Sequence, residues 1–402
     1  MRTPLLPASL AALVVLVASG CAEDAIGEDE TLQVEGAASG DEEDIVDARG
    51  PISFRDACRP GTSITIAAVG DVLLHAQLQQ QAYSSREGHL SLWKNVAPLI
   101  ARADLAYANL EGPCARGVTV DGEAPDPGKV FDKNVYSSFP QFNYHPSLVP
   151  ALKEAGFDVV STANNHSLDR RSIGVDRTID ELEAAGLPFA GTARAGDASP
   201  RWSAITEAKG VRVGWVACTF STNGLLDRKK QVLSCYEDKR TLLATIRSLA
   251  SEVDAVIVTP HWGEEYHHTP ESRDKSLARE MIEAGATAVL GNHPHVVQPM
   301  EKVTAADGRE GFVIYSMGNF VSGQPNMPRR SSLILYLGLT KGADGKVTLN
   351  GVRHMPLWMD KWSVRPADRG GAEEGLALTT RILGAWNRLG STEPLVTNPD
   401  CR

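Results

Sequence analysis

Bases do not dominate this sequence: its 402 residues carry 40 Lys and Arg against 50 Asp and Glu. A nucleic-acid-binding body usually shows a basic excess, so no nucleic-acid partner is expected. No apolar run reaches the roughly 20 residues that a membrane-crossing helix needs. The six cysteines contain no CxxC pair, which argues against a thiolate zinc site. There is no serine nucleophile elbow, no P-loop and no repeat of constant period. What is present, 42% hydrophobic and 22% charged residues, is the balance of a globular chain. A body of this size can bury a sizeable core without crosslinks.

The charge is uneven. Residues 22–50 hold eleven acids and the single base Arg49, while the remainder is close to neutral. Ahead of that block, Arg2 precedes an apolar run from Leu5 to Val17 and then Ala18-Ser19-Gly20-Cys21. A short positive start, a short apolar stretch and small residues make an export signal. The last four residues resemble a bacterial lipobox, in which the cysteine becomes the lipidated first residue. A plain signal peptide with an incidental Cys21 is the alternative. Residues 1–20 are thus expected to be a lipoprotein signal. Residues 21–60 are an acidic, disordered tether, and Cys21 is the membrane anchor of an exported envelope protein. Five cysteines remain, and an exported chain can pair them. Cys218 with Cys235, and Cys58 with Cys401, are the candidate pairs.

Downstream, short β-branched runs alternate with helical spacing. Strands are expected at 63–69, 105–110, 157–162, 211–219, 255–259, 286–290, 312–316, 332–339 and 346–352. Helices are expected at 92–103, 147–155, 173–185, 240–252, 272–284 and 377–389. Residues 112–145 read as a long insertion, either functional or mobile. The alternation argues an α/β domain with a mostly parallel core. Asp71, Glu111, Asn165, His166, His261, His293 and His295 all follow the carboxyl end of an expected strand. Ligands of open α/β sheets bind there. Carboxylates, an amide oxygen and imidazoles together suit one or two divalent ions such as Mn, Fe or Zn. Each piece alone has a plainer reading: a turn at Gly70-Asp71, a solvated strand end at Glu111, a hydrogen-bonded His261. His293-Pro294-His295 is stronger, because alternate residues of an extended segment can reach one site. His267 and His268 read as solvated loop residues, and His75 as a helix-face residue rather than a ligand.

Six blocks in order carry a resemblance. They are Val69-Gly70-Asp71-Val72, Ala108 to Glu111, Ser161 to Asp169, His261 to Tyr266, Gly291 to Pro299 and Tyr315 to Phe320. The chain resembles the CapA family of poly-γ-glutamate capsule biosynthesis proteins, related to the calcineurin-like metallophosphoesterases. The resemblance implies a four-layer α/β/β/α sandwich over residues 61–365, with 366–402 a C-terminal helix and tail packed on it. It implies Asp71 and His295 on a first ion, Asn165, His261 and His293 on a second, Glu111 bridging, and His166 as catalytic acid-base. Two residues after Asp71 the superfamily has His, where this chain has Leu73. Arg170 and Arg171 read as a solvated helix start, or as binders of an anionic substrate. The implied substrate is a peptide-like or polyanionic polymer, with capsule-synthesis membrane proteins as partners. Two readings stay open beside hydrolytic or proton-transfer chemistry: a non-catalytic factor that binds, exports or anchors a polymer, and a phosphoester hydrolase.

Overall fold

The computed structural model describes Met1 and residues 50–401. The expected signal, and the tether up to residue 49, lie outside the described residues. In chain order the strands are β1 (Thr62–Leu73), β2 (Leu105–Leu110), β3 (Val118–Thr119), β4 (Gly122–Glu123), β5 (Val159–Ser161), β6 (Phe189–Ala190), β7 (Ser203–Ala208) and β8 (Val211–Thr219). Then come β9 (Ala255–His261), β10 (Ala288–Leu290), β11 (Met300–Thr304), β12 (Glu310–Ile314), β13 (Asn319–Ser322), β14 (Ser331–Lys341), β15 (Val347–Asp360) and β16 (Ser363–Pro366). The helices are α1 (Ala76–Ser84), α2 (Ala97–Ile100), α3 (Leu148–Glu154), α4 (Arg171–Ala185), α5 (Lys239–Ala250), α6 (Ser272–Glu283), α7 (Met327–Arg330) and α8 (Glu373–Leu383). Among the described residues no helix is long and apolar enough to cross a membrane.

Two sheets result. One runs β16-β15-β14-β1-β2-β5-β6, with β13 also beside β1; the other runs β11-β12-β10-β9-β8-β7. Alternation along the strands decides how they stack. Ile64, Ile66 and Ala68 of β1 share one apolar cluster with Val211, Val213 and Trp215 of β8 and Ile257 of β9. That cluster lies between the sheets. The opposite face of β1, through Ala67 and Val69, packs with Leu78 of α1 and Leu148 and Leu152 of α3. The opposite face of the second sheet, through Val216, Val256 and Val258, packs with Leu242 of α5 and Leu277 of α6. The order is helix, sheet, sheet, helix. Tyr107 of β2 stacks on Trp215 of β8, ring centres 5.5 Å apart, and ties the two sheets together.

The core is parallel in seven of the twelve strand pairings of its two large sheets, as expected, and antiparallel in five. Parallel pairs run from β1 out to the β6 edge of one sheet and hold the middle of the other, while β14, β15 and β16 on the first and β7 and β11 on the second are antiparallel. Several sequence expectations are corrected. The expected helix at 92–103 is a 3-10 turn at Gly88–Leu92 followed by the short α2. Pro98 has no N–H to give and starts a helix rather than continuing one. The C-terminal helix ends at Leu383 rather than 389, with Gly384 at φ 82°. Both ends of residues 112–145 are packed, with Phe142 and Tyr144 buried in the core, while 121–134 are exposed or half-buried. Arg170 is buried rather than solvated. It donates from Nε to the Val118 carbonyl (3.1 Å) and from Nη2 to the Asn134 carbonyl (3.2 Å), clamping this insertion onto the start of α4. Arg171 is exposed. Both expected cysteine pairs are disulfides, Cys58–Cys401 and Cys218–Cys235, and Cys114 is a buried free thiol.

Candidate metal centre

The carboxyl ends of β1, β2, β5, β9 and β10 open on one side of the sheet interface, and each delivers a polar side chain. At the end of β1, a Cβ on Gly70 would collide with the Gly318 carbonyl, so the missing side chain lets β13 close on β1. The ladder shifts register at Asp71, and the Asp71 N–H donates to Gly318 (3.1 Å). Glu111 follows β2 directly. Asn165 and His166 lie in the turn between β5 and α4, and His261 closes β9. His293 and His295 follow β10 with positive φ, 102° and 58°. They stand on a sharply turned backbone, not on the extended segment expected. Two non-glycine residues with positive φ, one residue apart in a buried loop, are conformational strain of the kind found at functional sites.

The side chains converge. Asp71 Oδ2 is 3.1 Å from His295 Nδ1. His261 Nε2 is 3.0 Å from Asn165 Oδ1, 3.1 Å from His293 Nδ1 and 3.5 Å from a Glu111 oxygen. The same Glu111 oxygen is 3.8 Å from His295 Nε2. Asp71, Glu111 and His261 form one group whose ligand atoms lie within 4.8 Å of one another, and Glu111, His293 and His295 form another. Glu111 is common to both, so these groupings cut across the two-ion division that the resemblance implies. All six expected ligands are at most 3% exposed. They are brought together, with His166 close enough to add to the electrostatic load on His261 and His293.

Charge points the same way. Neither Glu111 carboxylate oxygen has a hydrogen-bond partner among the described residues, although both are out of water. A buried carboxylate is costly unless paired. Burial, then the nearby Asp71, push the Glu111 pKa well above its ordinary value. Burial, then the neighbouring imidazoles, hold His261 and His293 well below theirs, which favours neutral rings. Burial also pulls on His295, but Glu111 and Asp71 together outweigh it and raise this ring to about 10. The cluster therefore calls for positive charge at its centre. Two ligands about 2.1 Å from one ion, at 90–110° to each other, stand about 3.0–3.4 Å apart. The shorter separations here match that, and the residues fit one or two divalent ions.

Three functional neighbours were not singled out from sequence. Asn109 donates through Nδ2 to Asp71 (2.8 Å) and approaches His261 Nδ1 (3.2 Å), so one amide orients two of the cluster residues. Its alternation with Glu111 along the strand end was the available signal. Asp169 pairs with His166 Nδ1 (2.8 Å) and also accepts from the Phe142 N–H (2.6 Å). The i, i+3 spacing within Asn165 to Asp169 was the clue. Asn319 Oδ1 lies 3.0 Å from His295 Nδ1. His268 is buried against the Val297 carbonyl (2.8 Å) instead of solvated. His267 is partly exposed, 3.6 Å from Glu264. His75 sits just ahead of α1 rather than on its face, with Nδ1 accepting from the Gly323 N–H (3.2 Å).

Residues 65–324 match the family described as bacterial capsule synthesis protein PGA_cap. The chain belongs to this family. The matched span of this PGA_cap protein runs from Thr65 in β1 to Gln324 beyond β13, and contains every residue of the buried cluster. Among its relatives, the capsule biosynthesis protein CapA of Bacillus anthracis is 30% identical over 286 residues, covering 69% of this chain and 64% of that one. The chain thus spans a little under two thirds of that relative. The PGA biosynthesis protein CapA of Bacillus subtilis is 26% identical over 284 residues, 70% of each chain. Among solved structures, the Haemophilus influenzae NAD nucleotidase aligns with TM-score 0.45 at 10% identity, covering 84% of this chain and 65% of that one. The Thermus thermophilus sulfate thiohydrolase SoxB aligns with TM-score 0.40 at 12% identity, covering 79% and 59%. The PGA_cap body has a layered α/β/β/α arrangement.

Proposed function

We propose that this protein acts on a peptide-like or anionic polymer of the poly-γ-glutamate type, through a site of one or two divalent ions (Mn, Zn or Fe) with His166 moving a proton. The observation that carries the reading is Glu111, a carboxylate without hydrogen-bond donors, buried where Asp71, His261, His293 and His295 meet. Asp71, Glu111, Asn165, His261, His293 and His295 would hold the ions. A bound ion supplies charge stabilisation at a carbonyl or phosphoryl oxygen and lowers the pKa of water. The rest belongs to the chain. Asp169 accepts from His166 Nδ1–H and fixes that tautomer, leaving Nε2 to give or take a proton at the substrate. Asn109 and Asn319 hold Asp71, His261 and His295 in orientation. Phe142, edge-on to His166 with ring centres 4.8 Å apart, limits the ring's rotation.

We further propose export and anchoring through a lipidated Cys21, with capsule-synthesis membrane proteins as partners. Two disulfides are consistent with an oxidising compartment. Mass analysis of the amino terminus checks the anchor, and an unmodified Cys21 overturns it.

The test of the chemistry is a screen of the purified protein, with added Mn and Zn, against polyglutamate, peptides and a generic phosphodiester. The expected result is metal-dependent turnover that His166→Ala abolishes with metal content intact, while His293→Ala loses the metal. Full function in His166→Ala makes the protein a non-catalytic polymer-binding factor. Turnover of the phosphodiester alone makes it a phosphoester hydrolase.

A further inference from the structure

Several arginines of the body have a carboxylate in reach. Arg116 meets Glu181 and Asp126, Arg194 meets Asp180 and Glu183, and Arg309 meets Asp307. Arg330 lies over Trp358 and donates from Nε to the Met359 carbonyl. Arg329, its neighbour, is different. Its guanidinium carbon lies 3.4 Å from the centre of the Tyr266 ring. Among the described residues, none of its five N–H groups has a hydrogen-bond or ion-pair partner. A guanidinium does not lose its charge in a protein, and its planar fork matches a carboxylate or phosphate.

Its location gives that unpaired charge meaning. Tyr266 also leans against His295, with ring centres 6.1 Å apart. Its backbone is held at φ 69°, and its N–H donates to the carbonyl of Pro294, the residue between His293 and His295 (2.8 Å). On the other side, Asn319 donates through Nδ2 to the Arg329 carbonyl (3.0 Å), while its Oδ1 meets His295. The loop that carries Arg329 and the imidazole of His295 are thus fixed by one amide and one strained aromatic residue. Arg329 and Tyr266 are partly exposed, whereas the cluster behind them is buried. The guanidinium stands at the rim of the centre rather than in it.

We propose that Arg329, seated on Tyr266, is the anion-recognition site of this centre and takes a carboxylate of the substrate. The proposal rests on the polymer reading above and names the substrate group that reading left open. A repeating γ-linked acid would offer an amide to the centre and a neighbouring carboxylate to Arg329. Phosphate shares the recognition chemistry, so the test separates the two.

Calorimetric titration of the Mn-loaded full chain would use tri-γ-glutamate, its uncharged tri-γ-glutamine counterpart and inorganic phosphate. Wild type, Arg329→Gln and Arg329→Lys would be compared, with metal content measured for each. Losing a charge-assisted bidentate contact should weaken tri-γ-glutamate binding by about tenfold or more. Arg329→Lys should fall between, the amide counterpart should bind both proteins alike, and metal content should be unchanged. Equal tri-γ-glutamate and phosphate affinity in wild type and Arg329→Gln overturns the proposal, and so does binding of neither anion by a metal-loaded wild type. Metal loss in Arg329→Gln also overturns it, by making Arg329 part of the scaffold. Phosphate binding that depends on Arg329, without tri-γ-glutamate binding, keeps the anion site and removes the polymer reading. Failure of the wild type to take up Mn counts against the metal centre itself.

Discussion

Glu111 has both oxygens out of water and without donors, so replacing it with Gln removes the charge that holds cations while keeping the shape. Glu111→Gln should cut Mn or Zn affinity at least tenfold, read by metal analysis after dialysis, with the fold retained. Asp169 acts one step away. Asp169→Asn leaves the cluster intact but removes the carboxylate charge that supports a protonated His166, and turnover should fall by about 10²–10⁴, the usual worth of a positioned acid-base. Metal content should not change. At this scale the sequence was informative wherever a polar residue closes a strand: Asp71, Glu111 and His261 were legible that way. Asn109, Asp169 and Asn319 were less so, because amides and carboxylates beside a site look like ordinary turn residues until distances are known. The left-handed backbone at His293, His295 and Tyr266 left no trace in composition, since none of the three is glycine.

The Cys218–Cys235 disulfide fastens the segment after β8 across 17 residues. Phe220, within that segment, packs on His293 with ring centres 4.5 Å apart. Opening the loop with Cys218→Ser and Cys235→Ser should cost about 3 kcal/mol on loop-entropy grounds. Urea unfolding of the double variant against wild type measures this, and an unchanged midpoint would assign the loop's order to packing alone. At the junction of β1 and β13, Gly70→Ala drives a methyl into the Gly318 carbonyl. It should lower the thermal midpoint and metal affinity together, because Asp71 is the next residue. Among elements, β8 coincides with its expected span because both its faces are apolar. The edge strands β7, β11 and β16 escaped notice, since short, half-exposed strands carry little periodic signal.

The folded body stores an acid sensitivity. His89 and His354 are buried far from any carboxylate that could hold a proton on them, and burial lowers both to about 3. The unfolded chain takes up protons on these rings below about 6.5 while the folded chain does not. Their contribution is therefore complete above pH 6.5 and is lost as pH falls toward 3. Each ring should contribute a slope of up to about 1.4 kcal/mol per pH unit in that window. Denaturant unfolding at pH 7, 6 and 5 should show stability falling, and His354→Phe should fall less steeply; parallel slopes would show that this ring titrates normally. The layering of the whole molecule followed from strands with two apolar faces, but which sheet each strand joins was not readable, because it depends on contacts across hundreds of residues.

The bond between Cys58 and Cys401 joins positions 343 residues apart. During synthesis Cys58 must wait as an unpaired thiol while Cys114, Cys218 and Cys235 each emerge before its true partner. The late arrival of Cys401 makes shuffled crosslinks a hazard of maturation, one that grows whenever translation stalls in an oxidising setting. Once closed, the link turns the body into a covalent ring, so a single nick in a surface loop leaves two pieces still tied together.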